Sequence, residues 1–180
     1  MKFLMILVLF MLSIYLTNST FYPATSALFT LTGRHYINEG KVYYDWPCFK
    51  ISFCFESSDK IVWKVKDTWN IYEIVLDGSH VTRVQPGKNE NVTIFQSTNY
   101  ESHCVEIVKI TEDHYGPIAS HVDSAFEGVE ASSGILTTYY PHKPTRHFDF
   151  LGDSLTTAFG DLSGRNPICF LKMKQVQNCR

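Results

Sequence analysis

The chain has 180 residues, with 16 lysines and arginines against 18 aspartates and glutamates, giving a formal net charge of −2. At 44% hydrophobic and 14% aromatic it is too apolar for a disordered chain, and it lacks the basic excess of a nucleic-acid binder. The length suits one ordinary domain and is short for a two-domain enzyme.

Met1-Lys2 precedes the apolar run Phe3–Leu16, and the small polar residues Thr17-Asn18-Ser19-Thr20 follow. One positive charge, an apolar stretch and a small polar region form the layout of a secretory signal peptide, expected over residues 1–19 with cleavage near Ser19 or Ala27. The run is shorter than the ~20 residues of a spanning helix; the alternative is an uncleaved anchor. No second apolar run long enough to span follows, so the mature protein is expected to be secreted, extracellular and free of the membrane. Asn91-Val92-Thr93 is an N-glycosylation sequon on a polar stretch. Asn18-Ser19-Thr20 also matches, but at the cleavage region.

From residue 28 to 140 the pattern is that of an antiparallel β-sandwich, so the fold class is mainly β. Phe49–Phe55 alternates apolar and polar residues. So does Lys60–Lys66, with Ile61, Trp63 and Val65 on one face and Lys60, Lys64 and Lys66 on the other. Such period-two alternation marks strands with one wet face, and the lysines read as a solvated face or an edge guard. Tyr72–Leu76 runs into Asp77-Gly78, a hairpin signal, before Val81–Val84; Val92–Phe95 and Cys104–Ile110 complete the set. Short strands about ten residues apart with turns between them suggest a sandwich or barrel.

The five cysteines are Cys48, Cys54, Cys104, Cys169 and Cys179. Export permits disulfides, and the odd count leaves one thiol unpaired or intermolecular beside two bridges. Cys48 and Cys54 lie in one extended run, where six residues span about 20 Å, too far for a bridge unless the strand breaks. With neither a Cys-x-x-Cys pair nor a ligand-spaced Cys/His cluster, no metal and no cofactor is expected.

Pro141 and Pro144 make residues 141–146 a linker. His147–Leu151 is then a short strand candidate ending in Gly152-Asp153-Ser154-Leu155. A serine just past a strand end can present its hydroxyl and its own N–H at the lip of an α/β sheet, where such sheets bind ligands. Nucleophilic use also requires a histidine base and donors for the oxyanion. An ordinary Gly-Asp-Ser turn would look the same locally.

Phe148–Thr156, with Phe159-Gly160 shortly after, resembles block I of the GDSL or SGNH hydrolases. Gly33-Arg34, Trp46-Pro47, Tyr72 to Asp77-Gly78, and Lys109-Ile110-Thr111-Glu112 followed by Gly116 occur in the order found in carbohydrate esterase family two. The resemblance covers roughly residues 30–165. It implies a jelly-roll β-sandwich followed by an α/β SGNH hydrolase domain, here its first strand-turn-helix fragment over 147–180. It also implies removal of acetyl groups from polysaccharides such as xylan, with Ser154 as nucleophile and oxyanion N–H donor, and Gly152 and Asp153 as its supporting turn. Two positions depart from the family: Cys48-Phe49 stands where a Gly-Ser-like pair is usual, and Ile110 where a basic residue is common. The family's later segments, with further oxyanion donors and an Asp-x-x-His base, have no match in these residues.

All seven histidines (His35, His80, His103, His114, His121, His142 and His147) precede Ser154. His147 is seven residues away along the same strand, about 23 Å and out of hydrogen-bond reach. The expectation is a secreted carbohydrate esterase-like chain whose catalytic domain is incomplete and inactive by itself. The alternative is a non-catalytic module that binds polysaccharide, with Trp46, Trp63 or Trp69 stacking on sugar rings. The expected partner is in either case a polysaccharide or acetylated sugar, not a nucleic acid.

Overall fold

A computed structural model describes residues 19–68, 70–87, 91–98, 100–111 and 124–139. Every element among them is a strand: β1 (Thr20–Pro23), β2 (Thr30–Thr32), β3 (His35–Asn38), β4 (Lys41–Tyr44), β5 (Lys50–Glu56), β6 (Lys60–Lys66), β7 (Tyr72–Leu76), β8 (Ser79–Val84), β9 (Asn91–Gln96), β10 (His103–Lys109), β11 (Ser124–Ala131) and β12 (Ile135–Thr137). They form two six-stranded sheets. One has the order β3-β4-β11-β6-β9, with β1 also on β11; the other has the order β12-β5-β10-β7-β8, with β2 also on β5. Every pairing is antiparallel.

The alternating strands place their apolar faces between the sheets. Ile51, Phe53 and Phe55 of β5 meet Ile61, Trp63 and Val65 of β6, all essentially inaccessible. Phe29 sits edge-on to both Phe53 (5.5 Å) and Phe126 (5.0 Å), bridging the two sheets. Fully burying side chains of this size contributes about 1.5–3 kcal/mol each, so this interface is the main stabilising element of the fold.

The Asp77-Gly78 hairpin forms as its sequence predicts. Both residues have positive φ (50° and 77°), the type I′ geometry that matches strand twist, and Leu76 pairs with Ser79 across it. Three features differ from the sequence reading. The sheet begins before residue 28, because Thr20–Pro23 pairs with Ala131–Gly128. The lysine-bearing β6 is no edge strand but lies between β11 and β9; Lys64 pairs with Glu130 at 2.6 Å. β11, which pairs with β1, β4 and β6, gave no alternating pattern because its register shifts between Phe126 and Gly128. That bulge moves the inward face from even to odd positions. The linker at 141–146 and the 147–180 fragment lie outside the described residues.

Candidate functional site

One end of the sandwich gathers most of the resemblance-bearing residues that are described. The end of β4, the start of β5, the end of β6, the start of β7 and the end of β10 meet there, as the pairs Lys109↔Tyr72 and Val108↔Lys50 show. Gly33 enters this end with φ +106°, and a Cβ on it would stand 3.2 Å from the Phe49 Cα; only glycine allows that turn and approach without strain. The turn delivers Arg34, whose guanidinium lies 4.8 Å from the centroid of the Trp46 ring, a cation–π contact. Trp46 keeps 48% of its surface exposed.

Beside it, Cys48 has φ 61°, in the left-handed region that suits glycine. Its backbone is fixed nonetheless: Cys48 N–H donates to the Lys109 carbonyl at 2.8 Å, and Lys109 N–H to the Phe49 carbonyl at 2.9 Å. Cys48 is disulfide-bonded. Cys54 and Cys104, directly opposite on β5 and β10, form a second disulfide.

Beneath this surface lies a polar network that the sequence reading did not find. Asp67 accepts from Asn70 N–H (3.0 Å), Asn70 Nδ2 (2.8 Å) and Ser124 Oγ (2.6 Å), and also from the Tyr72 hydroxyl. Since Tyr72 donates to Asp67, Tyr44 is the donor in the 3.1 Å contact between the two hydroxyls. Thr111 Oγ1 reaches Asn70 Oδ1 at 2.7 Å, and the wholly buried Lys109 donates to the Thr111 carbonyl at 2.8 Å. Burial raises both tyrosine pKa values, and the nearby Asp67 charge adds to it. The local signal was Asp67-x-x-Asn70, a self-bonding turn after a strand. Lys109 shares the inward parity of Val105 and Ile107.

This network braces the end of the fold. Ser124 is buried and gives its hydroxyl to a carboxylate, with no histidine among its bonded partners in the described residues. The three described histidines face other groups: His35 Nδ1 lies 2.9 Å from the Gly33 carbonyl, His80 lies 3.3 Å from Glu73, and His103 lies 2.7 Å from Asp77. Among the described residues no cluster of three His, Cys, Asp or Glu could hold a metal ion.

Of the sequence-predicted site residues, Gly152, Asp153 and Ser154 lie outside the described residues, as does Trp69. Trp63 is core: it is wholly buried and sits edge-on to Tyr72 at 4.8 Å. Of the two described tryptophans, Trp46 is the exposed one. Asn91 opens β9, exposed on an edge strand.

Two antiparallel sheets with this strand order and this motif-bearing end define a jelly-roll-like β-sandwich. A model of the carbohydrate esterase 2 N-terminal domain matches residues 31–134, so the chain belongs to that family. Among solved structures, a family two carbohydrate esterase from Clostridium thermocellum in complex with cellohexaose aligns with TM-score 0.60 and 21% identity, over 74% of this chain and 39% of that one. A family two carbohydrate esterase from Cellvibrio japonicus aligns with TM-score 0.58 and 17% identity, over 72% and 38%. The acetyl xylan esterase Est2A from Butyrivibrio proteoclasticus aligns with TM-score 0.55 and 12% identity, over 71% and 35%. At these identities the likeness is one of fold. The chain spans less than two-fifths of each of those structures. A search of curated proteins found no match.

Proposed function

We propose that this chain is the sandwich-bearing N-terminal part of a secreted carbohydrate esterase that removes acetyl groups from polysaccharide. The observation that carries this reading is the family match over residues 31–134, followed in sequence by Phe148–Thr156, the stretch that resembles block I of the SGNH hydrolases and contains Ser154. Ser154 Oγ attacks the acetyl carbonyl, its proton passes to a histidine base, and the sugar oxygen leaves protonated. Water then releases acetate from the acyl-serine. The Ser154 N–H is one oxyanion donor, and Gly152 and Asp153 shape the turn that aims it.

The described residues offer Ser154 no base. The three described histidines are occupied elsewhere, and losing triad members costs on the order of 10⁴–10⁶ in turnover. The 180-residue chain alone is therefore expected to release acetate from acetylated xylan at the background rate. Reading the transcript past the codon for Arg180 tests the assignment. An in-frame Asp-x-x-His segment, with acetate release by the encoded product that Ser154→Ala abolishes, supports it. A product with that segment and no acetyl release on any acetylated polysaccharide sinks it.

The exposed Trp46, with Arg34 against one face, favours a second reading: sugar binding without catalysis. It requires retention of the chain on insoluble polysaccharide that Trp46→Ala weakens at least tenfold. Equal retention of the two chains removes it.

A further inference from the structure

We infer that the outward face of the β3-β4-β11-β6-β9 sheet binds an acidic polysaccharide, one that carries occasional uronic-acid carboxylates along a neutral sugar chain. A local excess of lysine beside an exposed stack of two tyrosines points to it.

Register fixes which side chains share this face. Val42 and Tyr44 of β4 belong to the core, so Lys41 and Tyr43 alternate to the outside. Ile61, Trp63 and Val65 of β6 also belong to the core, which leaves Lys60, Lys64 and Lys66 outside. Tyr36 pairs with Tyr43, Tyr43 with Ala125, and Ala125 with Lys66. One row of outward positions thus crosses β3, β4, β11 and β6, about 14 Å over three strand spacings. Past the β11 bulge, Glu130 lies opposite Val62 and reaches Lys64, while Glu127 reaches Lys41.

Charge and aromatic surface then combine. The face carries the lysines Lys41, Lys60, Lys64 and Lys66 against the two carboxylates Glu127 and Glu130, an excess of two positive charges in a chain whose formal net charge is −2. Lys41 is paired with Glu127, and Lys64 with Glu130 at 2.6 Å. The Lys64 hydrogen bond is the main cause that holds the Glu130 carboxyl below its ordinary value, and the Lys60 charge adds to it. Lys66, at the end of the tyrosine row, is exposed and has no ion pair among the described residues. At the other end Tyr36, 52% exposed, lies parallel to Tyr43 with ring centroids 5.0 Å apart and 10° between their planes. Each ring holds its neighbour in place, so little side-chain freedom is left to lose when a sugar ring packs on the exposed one.

The spacing of the charges selects the ligand. A nucleic acid or an anionic lipid surface would bring closely spaced phosphates against Glu127 and Glu130 as well as against the lysines. A polysaccharide with occasional carboxylates avoids that conflict. One carboxylate meets Lys66 in a charge-assisted hydrogen bond, a ring packs on Tyr36, and neutral hydroxyls meet the Lys41–Glu127 and Lys64–Glu130 pairs. The inference goes beyond both readings above and needs neither acyl transfer at Ser154 nor stacking on Trp46.

Affinity electrophoresis of the full chain through gels containing glucuronoxylan tests it. The expected result is retardation that weakens as salt is raised and is lost when the uronic carboxyls of the same polymer are reduced to alcohols. Tyr36→Ala, and Lys60→Gln combined with Lys66→Gln, are each expected to weaken retardation several-fold without moving the unfolding midpoint, since these side chains lie outside the core. Trp46→Ala should bind as the parent does. No retardation, equal retardation by the carboxyl-reduced polymer, or either Tyr36 or lysine variant binding like the parent overturns the inference. Loss in Trp46→Ala would move binding to the Arg34–Trp46 end and overturns it too. So does tighter binding of a single-stranded oligonucleotide or of phosphatidylserine vesicles. If the variants fail to fold, the comparison of the two polymers on the unaltered chain decides alone.

Discussion

Asp67 shows how much one buried carboxylate organises. It accepts hydrogen bonds from Asn70, Ser124 and Tyr72, and removing it strands several buried donors at once. Asp67→Ala is expected to cost about 3–5 kcal/mol in urea unfolding, against about 1–3 kcal/mol for Tyr72→Phe, which removes one donor to Asp67 and the acceptor of the Tyr44 hydroxyl. Equal losses would mean that the carboxylate is not the centre of the network. Asp77 is one of the carboxyls that contribute to the pH dependence. Burial pushes its carboxyl pKa up, but the Cys104 N–H at 2.8 Å and His103 at 2.7 Å outweigh that and hold it below its ordinary value. A carboxyl depressed on folding stabilises fully above the unfolded-state value and loses that contribution as the pH falls through the folded one. The parent chain should thus exceed Asp77→Asn in stability near neutrality, with the gap closing below about pH 4. A gap unchanged down to pH 2 would contradict this. Residue identity was legible where parity decided it: Ile61, Trp63 and Val65 faced inward as read. The Asp67 network was not, because its members come from β4, the turn before β7, the segment after β10 and β11, and only the fold brings them together.

At the scale of elements, the legible strands were β5 and β6, by their alternation, and β7, β8, β9 and β10, as short β-rich runs between turns, together with the β7–β8 turn. The short strands β1 to β4 and β12 offer three or four residues each, too few for a period to register, and β11 hides behind its bulge. The Cys54–Cys104 bridge ties β5 to β10 with a sequence separation of 50 residues. Loop closure of that length corresponds to about 4 kcal/mol. Replacing both cysteines by alanine is expected to lower the unfolding free energy by roughly that amount, measured by denaturant titration. A change under about 1 kcal/mol would show that the sheet register alone fixes the pair.

At the scale of the whole molecule, the sandwich was legible because its core follows a binary pattern, whereas the catalytic reading rested on one short motif and an order of small ones. The two ends of the fold differ in kind. One carries the Asp77-Gly78 hairpin; the other carries Gly33, Arg34, Trp46 and Cys48 and faces the direction in which the chain departs. β1 also constrains how an exported chain can be processed. Removal of the leader near Ser19 keeps Thr20–Pro23 on β11, while a cut at Ala27 strips that strand away. If the chain is exported as proposed, N-terminal sequencing of the mature protein is expected to begin at or before Thr20; a mature terminus beyond Pro23 would show that the sheet tolerates its loss.

The placement of Asn91 has a colloidal consequence. It opens β9, exposed on the strand that ends its sheet among the described residues. Such an edge is a template for another copy's strand. Where export attaches a glycan to Asn91, that bulky hydrated substituent would stand at the mouth of the edge and block strand addition. The same chain made without sugar would then depend on charge alone to stay apart from its neighbours.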